Sequence, residues 1–148
     1  MTWGQQNSEA DGHAQMDYAL EHGVNFWDTA EMYPVPPTEE RFGNTERIVG
    51  SWFASRKQRD KVILATKIIG PDQRFKSVRG GANKFDRRNI VTAIEDSLQR
   101  LRTDYIDLFQ LHASDARTPV EETLSTLDNL VKAGKIRYLG VSNFSGWH

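Results

Sequence analysis

The sequence has no cysteine, so disulfides, thiolate chemistry and cysteine-bound metals are excluded. It also has no apolar run near the roughly 18 residues that a membrane-spanning helix needs, and its first residues, MTWGQQNSEADG, do not resemble a signal peptide. The formal net charge is only -1, which gives no basic surface for nucleic acid or an anionic membrane. We therefore expect a cytoplasmic protein.

The sequence alternates between segments with the hydrophobic period of a helix and segments with the apolar runs of a strand. Runs that predict strands begin at Val24, Lys61, Tyr105 and Ile136, and a helical period precedes each of them. Ser8 and Asp86 are candidate helix N-caps, while Gly23 and Gly134 are candidate stop signals. The predicted buried faces of the last three helices are Ile48, Val49, Trp52 and Phe53, then Ile90, Ile94, Leu98 and Leu101, then Val120, Leu124, Leu127 and Val131.

This alternation predicts an α/β fold with parallel strands joined by right-handed crossovers. The run KVILATK, Lys61 to Lys67, is typical of a strand that is covered on both faces. An open dinucleotide-binding sheet would need G-x-G-x-x-G after its first strand, and the sequence lacks that motif. A (β/α)8 TIM barrel is favoured, and a whole one takes about 250 residues. We therefore expect 1–148 to form part of a barrel, with about four βα units.

Polar residues end all four predicted strands. Asp28, Lys67 and His112 end the first three, and the fourth leads into Ser142-Asn143; Tyr33 follows Asp28 by five residues. Reactive groups of parallel α/β folds gather at this edge of the sheet. Asp28 and His112 lack a third ligand, so a metal site is not predicted.

These groups could protonate a developing alkoxide. A tyrosine is a weak acid near neutrality, but a neighbouring ammonium lowers the phenol pKa. Lys67 could supply that charge, Asp28 could keep the lysine protonated, and His112 could orient a carbonyl or relay the proton. No nucleophile is paired with a base, so covalent catalysis fits poorly.

Four segments together resemble the aldo-keto reductases, NADPH-dependent oxidoreductases built on the (β/α)8 barrel. They are NFWDTAEMYP, VILATKI, DSLQRLRTDYIDLFQLH and AGKIRYLGVSNFS. The resemblance implies that Tyr33 is the general acid, that Lys67 and Asp28 support it, and that His112 orients the substrate. It further implies that Ser142 and Asn143 hold the nicotinamide carboxamide, that Asp28 lies near the ribose, and that Gln6 contacts the cofactor.

The resemblance also implies what this length of chain would lack: the first barrel strand, and a C-terminal half that carries most of the cofactor contacts. We accordingly expect residues 1–148 alone to bind NADPH poorly and to turn over slowly or not at all. Potassium-channel beta subunits, which act mainly as regulatory partners, resemble the same family and offer the alternative function. They have asparagine where this chain has His112, so His112 favours the enzyme.

The segment from Ile68 to Phe85 has two interpretations. It is either a solvated surface loop, which its basic residues favour, or a flap that shapes the substrate pocket. Those basic residues are Arg74, Lys76, Arg79 and Lys84.

Overall fold

The structure is a computed structural model that describes residues 1–72, 75–76 and 78–146. Its helices are α1 (Glu9–Glu21), α2 (Asn44–Arg56), α3 (Arg87–Leu101) and α4 (Val120–Lys132). Its strands are β1 (Phe26–Asp28), β2 (Ile63–Ile68), β3 (Ile106–Leu111) and β4 (Ile136–Val141), which form one parallel sheet in the order β1-β2-β3-β4. The predicted α/β class with parallel strands is confirmed, and the arrangement is consistent with part of a TIM barrel.

The helix ends follow the local signals in the sequence. The Ser8 hydroxyl caps α1 by accepting from the Asp11 amide, and the Asp11 carboxylate accepts from the Ser8 amide in return. Asp86 caps α3 by accepting from the Asn89 amide at 2.9 Å. Gly134 follows α4 with φ +74°, a conformation that glycine adopts without steric cost.

The core lies between the sheet and the helices. The predicted faces of α2 and α3 are both buried, and five of the six β2 residues are buried as well. Trp52 is 1% exposed and packs edge-on against Trp27, with ring centroids 4.8 Å apart. These side chains join one continuous cluster that fixes the helices on the sheet.

The predicted face of α4 is partly wrong. Val120 and Leu124 are more than half exposed, whereas Thr123 and Thr126 are buried beside Leu127. The buried face is therefore rotated toward the two threonines. The Thr123 hydroxyl donates to the Phe85 carbonyl oxygen at 3.0 Å, and this hydrogen bond lets a polar side chain occupy the interior.

Several large apolar side chains are exposed on the strands. They are Phe26, Ile63, Tyr138, Leu139 and Val141, and three of them belong to the edge strand β4. Within the described residues, no helix is long and apolar enough to cross a membrane.

Candidate active site

The carboxyl ends of β2, β3 and β4 align at one edge of the sheet. Lys67 pairs with Gln110 in the strand register. The His112 amide donates to the Ile68 carbonyl oxygen at 3.1 Å, and the Ser142 amide donates to that of Leu111 at 2.8 Å. The parallel ladder thus continues past the strand ends and carries the predicted polar residues to the same rim.

Lys67 and Asp28 form an ion pair at this rim. Lys67 Nζ donates to Asp28 Oδ2 at 2.7 Å and to the Thr29 carbonyl oxygen at 2.8 Å. The lysine side chain is only 6% exposed, whereas that of Asp28 is 49% exposed. The ammonium is thus enclosed by its partners, and one side of the carboxylate stays open to solvent.

Gln110 is a site residue that the sequence interpretation missed. Its Nε2 donates to Asp28 Oδ1 at 3.1 Å, so it holds the carboxylate oxygen that Lys67 leaves free. Gly140 gives this side chain room, since a Cβ there would lie 3.1 Å from Gln110 Cγ. The signal was available: Gln110 lies two residues before His112, and alternation along a strand turns it toward the Lys67 side of the sheet.

The segment after β1 returns Tyr33 to the same place. The Glu31 amide donates to the Lys67 carbonyl oxygen at 3.1 Å, which extends the β1–β2 pairing, and the Tyr33 amide then closes a turn onto Ala30. The Tyr33 side chain ends up buried, with its ring centroid 5.3 Å from Lys67 Nζ. The His112 ring lies edge-on to it, with centroids 5.9 Å apart.

The pKa of Tyr33 is raised in the structure, whereas the sequence predicted that it would be lowered. Burial raises the pKa of the phenol, and the negative charge of Asp28 raises it further. The Lys67 ammonium is bound to Asp28 and to the Thr29 carbonyl oxygen, and its Nζ lies 5.3 Å from the centroid of the Tyr33 ring. The phenol therefore keeps its proton throughout the neutral range.

His112 is neutral at pH 7. Burial lowers the pKa of its imidazole, and the positive charge of Lys67 adds to that effect. A neutral ring offers one hydrogen-bond donor and one acceptor. Its Nδ1 is buried and has no hydrogen-bond partner within the part of the chain that the structure describes.

Ser142 and Asn143 form a polar pair at the end of β4. Asn143 Nδ2 donates to the His112 carbonyl oxygen at 2.9 Å and to Ser142 Oγ at 3.0 Å. This leaves the serine proton to donate and the asparagine Oδ1 to accept, which is what a primary carboxamide requires. Asn143 has φ +59°, a left-handed conformation that asparagine tolerates better than most residues. The pair therefore presents a hydrogen-bond donor and an acceptor side by side at the rim.

Gln6 lies apart from this constellation. It sits in an exposed turn between Trp3 and Asn7, where its amide donates to the Thr2 carbonyl oxygen. In the described structure, its side chain makes no hydrogen bond to the rim residues. Its cofactor contact stays a prediction.

A cavity of about 240 Å³ opens beside His112. Its lining includes the start of the loop that follows β2, namely Ile69, Gly70, Pro71 and Asp72, together with Met32, Ala113 and Asn143. That portion of the loop thus shapes a pocket, as the flap interpretation expects. Three basic residues of the loop are described and are not among the lining residues: Arg79 binds Glu31, Lys84 binds Asp86 and Lys76 is exposed. Arg74 lies outside the described residues.

Comparison with known proteins finds one family over the whole chain. The model of the aldo/keto reductase family matches residues 1–148. Protein tas of Escherichia coli is 47% identical over 160 residues, which cover 97% of this chain and 46% of tas. The aldo-keto reductase YhdN of Bacillus subtilis is 45% identical over 127 residues, covering 86% of this chain and 35% of YhdN. Norsolorinic acid reductase A of Aspergillus parasiticus is 37% identical over 145 residues, covering 94% and 34%. The chain thus spans a third to a half of the length of these relatives.

Proposed function

Because the chain belongs to the aldo/keto reductase family, we propose that it serves the NADPH-dependent reduction of aldehydes or ketones to alcohols, with Tyr33 as the proton donor. The observation that carries this proposal is the convergence of Tyr33, the Lys67–Asp28 ion pair and His112 at the carboxyl ends of parallel strands. A small-molecule carbonyl compound is the proposed substrate, and the cavity beside His112 is its proposed place.

Ser142, Asn143 and Asp28 are the proposed cofactor residues. When bound, NADPH supplies the hydride. The serine hydroxyl and the asparagine Oδ1 would hold the carboxamide, since the asparagine NH2 group is already used within the chain. The open side of the Asp28 carboxylate could accept a hydrogen bond from a ribose hydroxyl.

Tyr33 and His112 would have different roles at the carbonyl oxygen of the substrate. Neutral His112 would orient that oxygen by donating a hydrogen bond, and the Tyr33 phenol would donate the proton as negative charge develops there. Because Tyr33 is buried and its pKa is raised, the phenol would stay protonated until the substrate is in place. Burial raises the pKa of the phenol in the resting site, and the Lys67 ammonium, with Nζ 5.3 Å from the ring centroid, would offset the negative charge that appears on Tyr33 once the proton is transferred.

The length of the chain limits what it should do alone. Relatives contain at least as many further residues as this chain covers in them, so we expect residues 1–148 by themselves to bind NADPH weakly. Titration of the chain with NADPH, followed by protein fluorescence, tests this expectation. Low-micromolar affinity would contradict it.

The reaction itself is best tested in a chimaera in which residues 1–146 replace the matching segment of Escherichia coli tas, so that tas supplies the chain on both sides. The assay follows NADPH absorbance with a panel of small aldehydes and identifies the alcohol product, with NADH in parallel. Cofactor binding and cooperative unfolding of the chimaera are the controls for folding. A folded, cofactor-binding chimaera that reduces no aldehyde would refute the proposal and favour a regulatory role like that of the channel beta subunits.

A further inference from the structure

A second group of charges is buried beside the Tyr33 segment, outside the proposed catalytic residues. Glu31 and Glu46 are both 0% exposed. Arg79 is bound to Glu31, and Arg100 Nε is 2.6 Å from Glu46 Oε2 and its Nη2 is 3.8 Å from Glu31 Oε2. Two carboxylates and two guanidiniums thus balance one another, which burial of charges requires.

Glu31 is the member of this group that lies on the Tyr33 segment. Its backbone amide donates to the Lys67 carbonyl oxygen, and its Oε1 accepts from the Ile69 amide at 2.7 Å. Arg79 binds the same carboxylate in a bidentate, or two-armed, contact: Nη2 donates to Oε1 at 2.8 Å and Nη1 donates to Oε2 at 2.9 Å. A two-armed contact of this kind fixes orientation as well as distance.

An apolar cluster joins the same two segments. Ile69, Phe75 and Val78, from the loop after β2, are buried together, and Met32 and Phe42 pack against them. Met32 lies between Glu31 and Tyr33 in the chain. The loop is therefore tied to the Tyr33 segment by an ion pair and by apolar packing at once.

Other hydrogen bonds of the Tyr33 backbone are local or long. The Tyr33 amide bonds only three residues back, to Ala30, and the Tyr33 carbonyl oxygen accepts from the Thr45 amide at 3.4 Å. Neither contact connects Tyr33 to β2, whereas Glu31 connects to Lys67 and Ile69. Glu31 therefore supplies hydrogen bonds that join the segment carrying Tyr33 to the end of β2.

We propose that Arg79 is a positioning residue, which holds the Glu31 carboxylate and thereby keeps Tyr33 beside Lys67 and His112. The inference deepens the proposed function and rests on it for its catalytic meaning. It also gives the loop after β2 two roles, since its first residues line the cavity and Arg79, farther along, binds Glu31, which lies two residues before the proposed acid. Release of Arg79 should free the Tyr33 segment while Lys67 stays paired with Asp28.

The test uses variants of this chain that keep buried charges balanced. The double variant Glu31→Gln/Arg79→Met removes the ion pair but leaves Arg100 with Glu46 at 2.6 Å. Arg79→Lys keeps a charge but loses the two-armed contact, and serves as the conservative variant. The matched control is Asp107→Asn/Arg59→Met, because this pair is similarly enclosed, at 9% and 15% side-chain exposure. Urea unfolding shows that each variant is folded.

The readout is nitration of tyrosines by tetranitromethane, quantified by peptide mass spectrometry. Tyr33 is 7% exposed, whereas Tyr18 and Tyr138 are 65% and 72% exposed and provide internal references. Nitration proceeds through the phenolate, so its pH profile also reports how far Tyr33 remains protected from ionisation. The measurement needs neither cofactor nor turnover.

The double variant should raise nitration of Tyr33 relative to Tyr18 several-fold and move its pH profile to lower pH. Arg79→Lys should give an intermediate ratio, and the control pair should leave the ratio as in the parent chain. An unchanged ratio in the double variant overturns the inference; if that variant does not fold, an unchanged ratio in Arg79→Lys does so. Failure of the chimaera to reduce aldehydes counts against the proposed function alone, because nitration is independent of it.

Discussion

Gly50 has no room for a methyl group without a shift of the backbone around it. It lies in α2 where this helix crosses α3, and a Cβ there would be 2.1 Å from the Arg100 carbonyl oxygen and 2.8 Å from the Leu101 carbonyl carbon. Both contacts are with backbone, which cannot rotate away. The helices would have to separate by about 1 Å to restore an ordinary contact.

The magnitude follows from two opposing effects. Alanine in place of a helical glycine gains about 1 kcal/mol of helix propensity. Overpacking of a rigid interior typically costs about 1–3 kcal/mol and sometimes more. Separation of α2 from α3 would also stretch the Glu46–Arg100 contact, which spans these helices at 2.6 Å. We therefore expect Gly50→Ala to lower the free energy of unfolding by about 2 kcal/mol, out of roughly 5–15 kcal/mol for a typical domain.

Urea unfolding measures this loss as a fall of about 1 M in the midpoint. Gly12→Ala is the matched comparison, since Gly12 is also a buried helical glycine. Its Cβ would meet only side chains, Ile48 at 3.0 Å and Trp3 at 3.3 Å, which can adjust. Gly12→Ala should therefore cost less than Gly50→Ala. A Gly50→Ala protein as stable as its parent would refute the packing argument.

Two further predictions concern the candidate site. Asp28→Asn should cost about 2 kcal/mol in urea unfolding, below the usual range for a buried pair because Asp28 is half exposed, and an unchanged midpoint would contradict the assigned pairing. His112 should make the chain less stable in acid. Its folded-state pKa lies below the ordinary value near 6.5, so the unfolded chain binds more protons and stability falls as pH drops through that range. His112→Asn should remove this part of the pH dependence, which is measured as the difference in unfolding free energy between pH 7.5 and pH 5. An equal difference in the parent and the variant would show that His112 does not contribute.

Much of the fold could be predicted from local pattern. The faces of α2 and α3 and the doubly covered strand β2 are read directly from apolar spacing, because long helices and buried strands leave strong periods. The residues at the rim could also be predicted, because parallel strands bring their carboxyl ends to one edge of the sheet whatever their order. Asp28 and Lys67 indeed meet there.

The features that could not be predicted from the sequence are those that depend on residues far apart in the chain. Charged residues are expected at the surface, yet Glu31 and Glu46 are buried because arginines 48 and 54 positions later pair with them. The buried threonines of α4 are a milder case, since only the acceptor at Phe85 makes Thr123 suitable for the interior. The raised pKa of Tyr33 also depends on distant residues, because it comes from burial of the phenol in the folded chain and, after that, from the charge of Asp28.

The central claim is that Tyr33 donates the proton. Its most direct test is the rate of NADPH oxidation by the chimaera with and without Tyr33→Phe, at saturating aldehyde, with cofactor affinity measured on both. Loss of a general acid typically costs about 10²–10⁴-fold. We expect Tyr33→Phe to lose that much activity with NADPH affinity unchanged, whereas turnover equal to that of the parent would contradict the assignment of Tyr33 as proton donor.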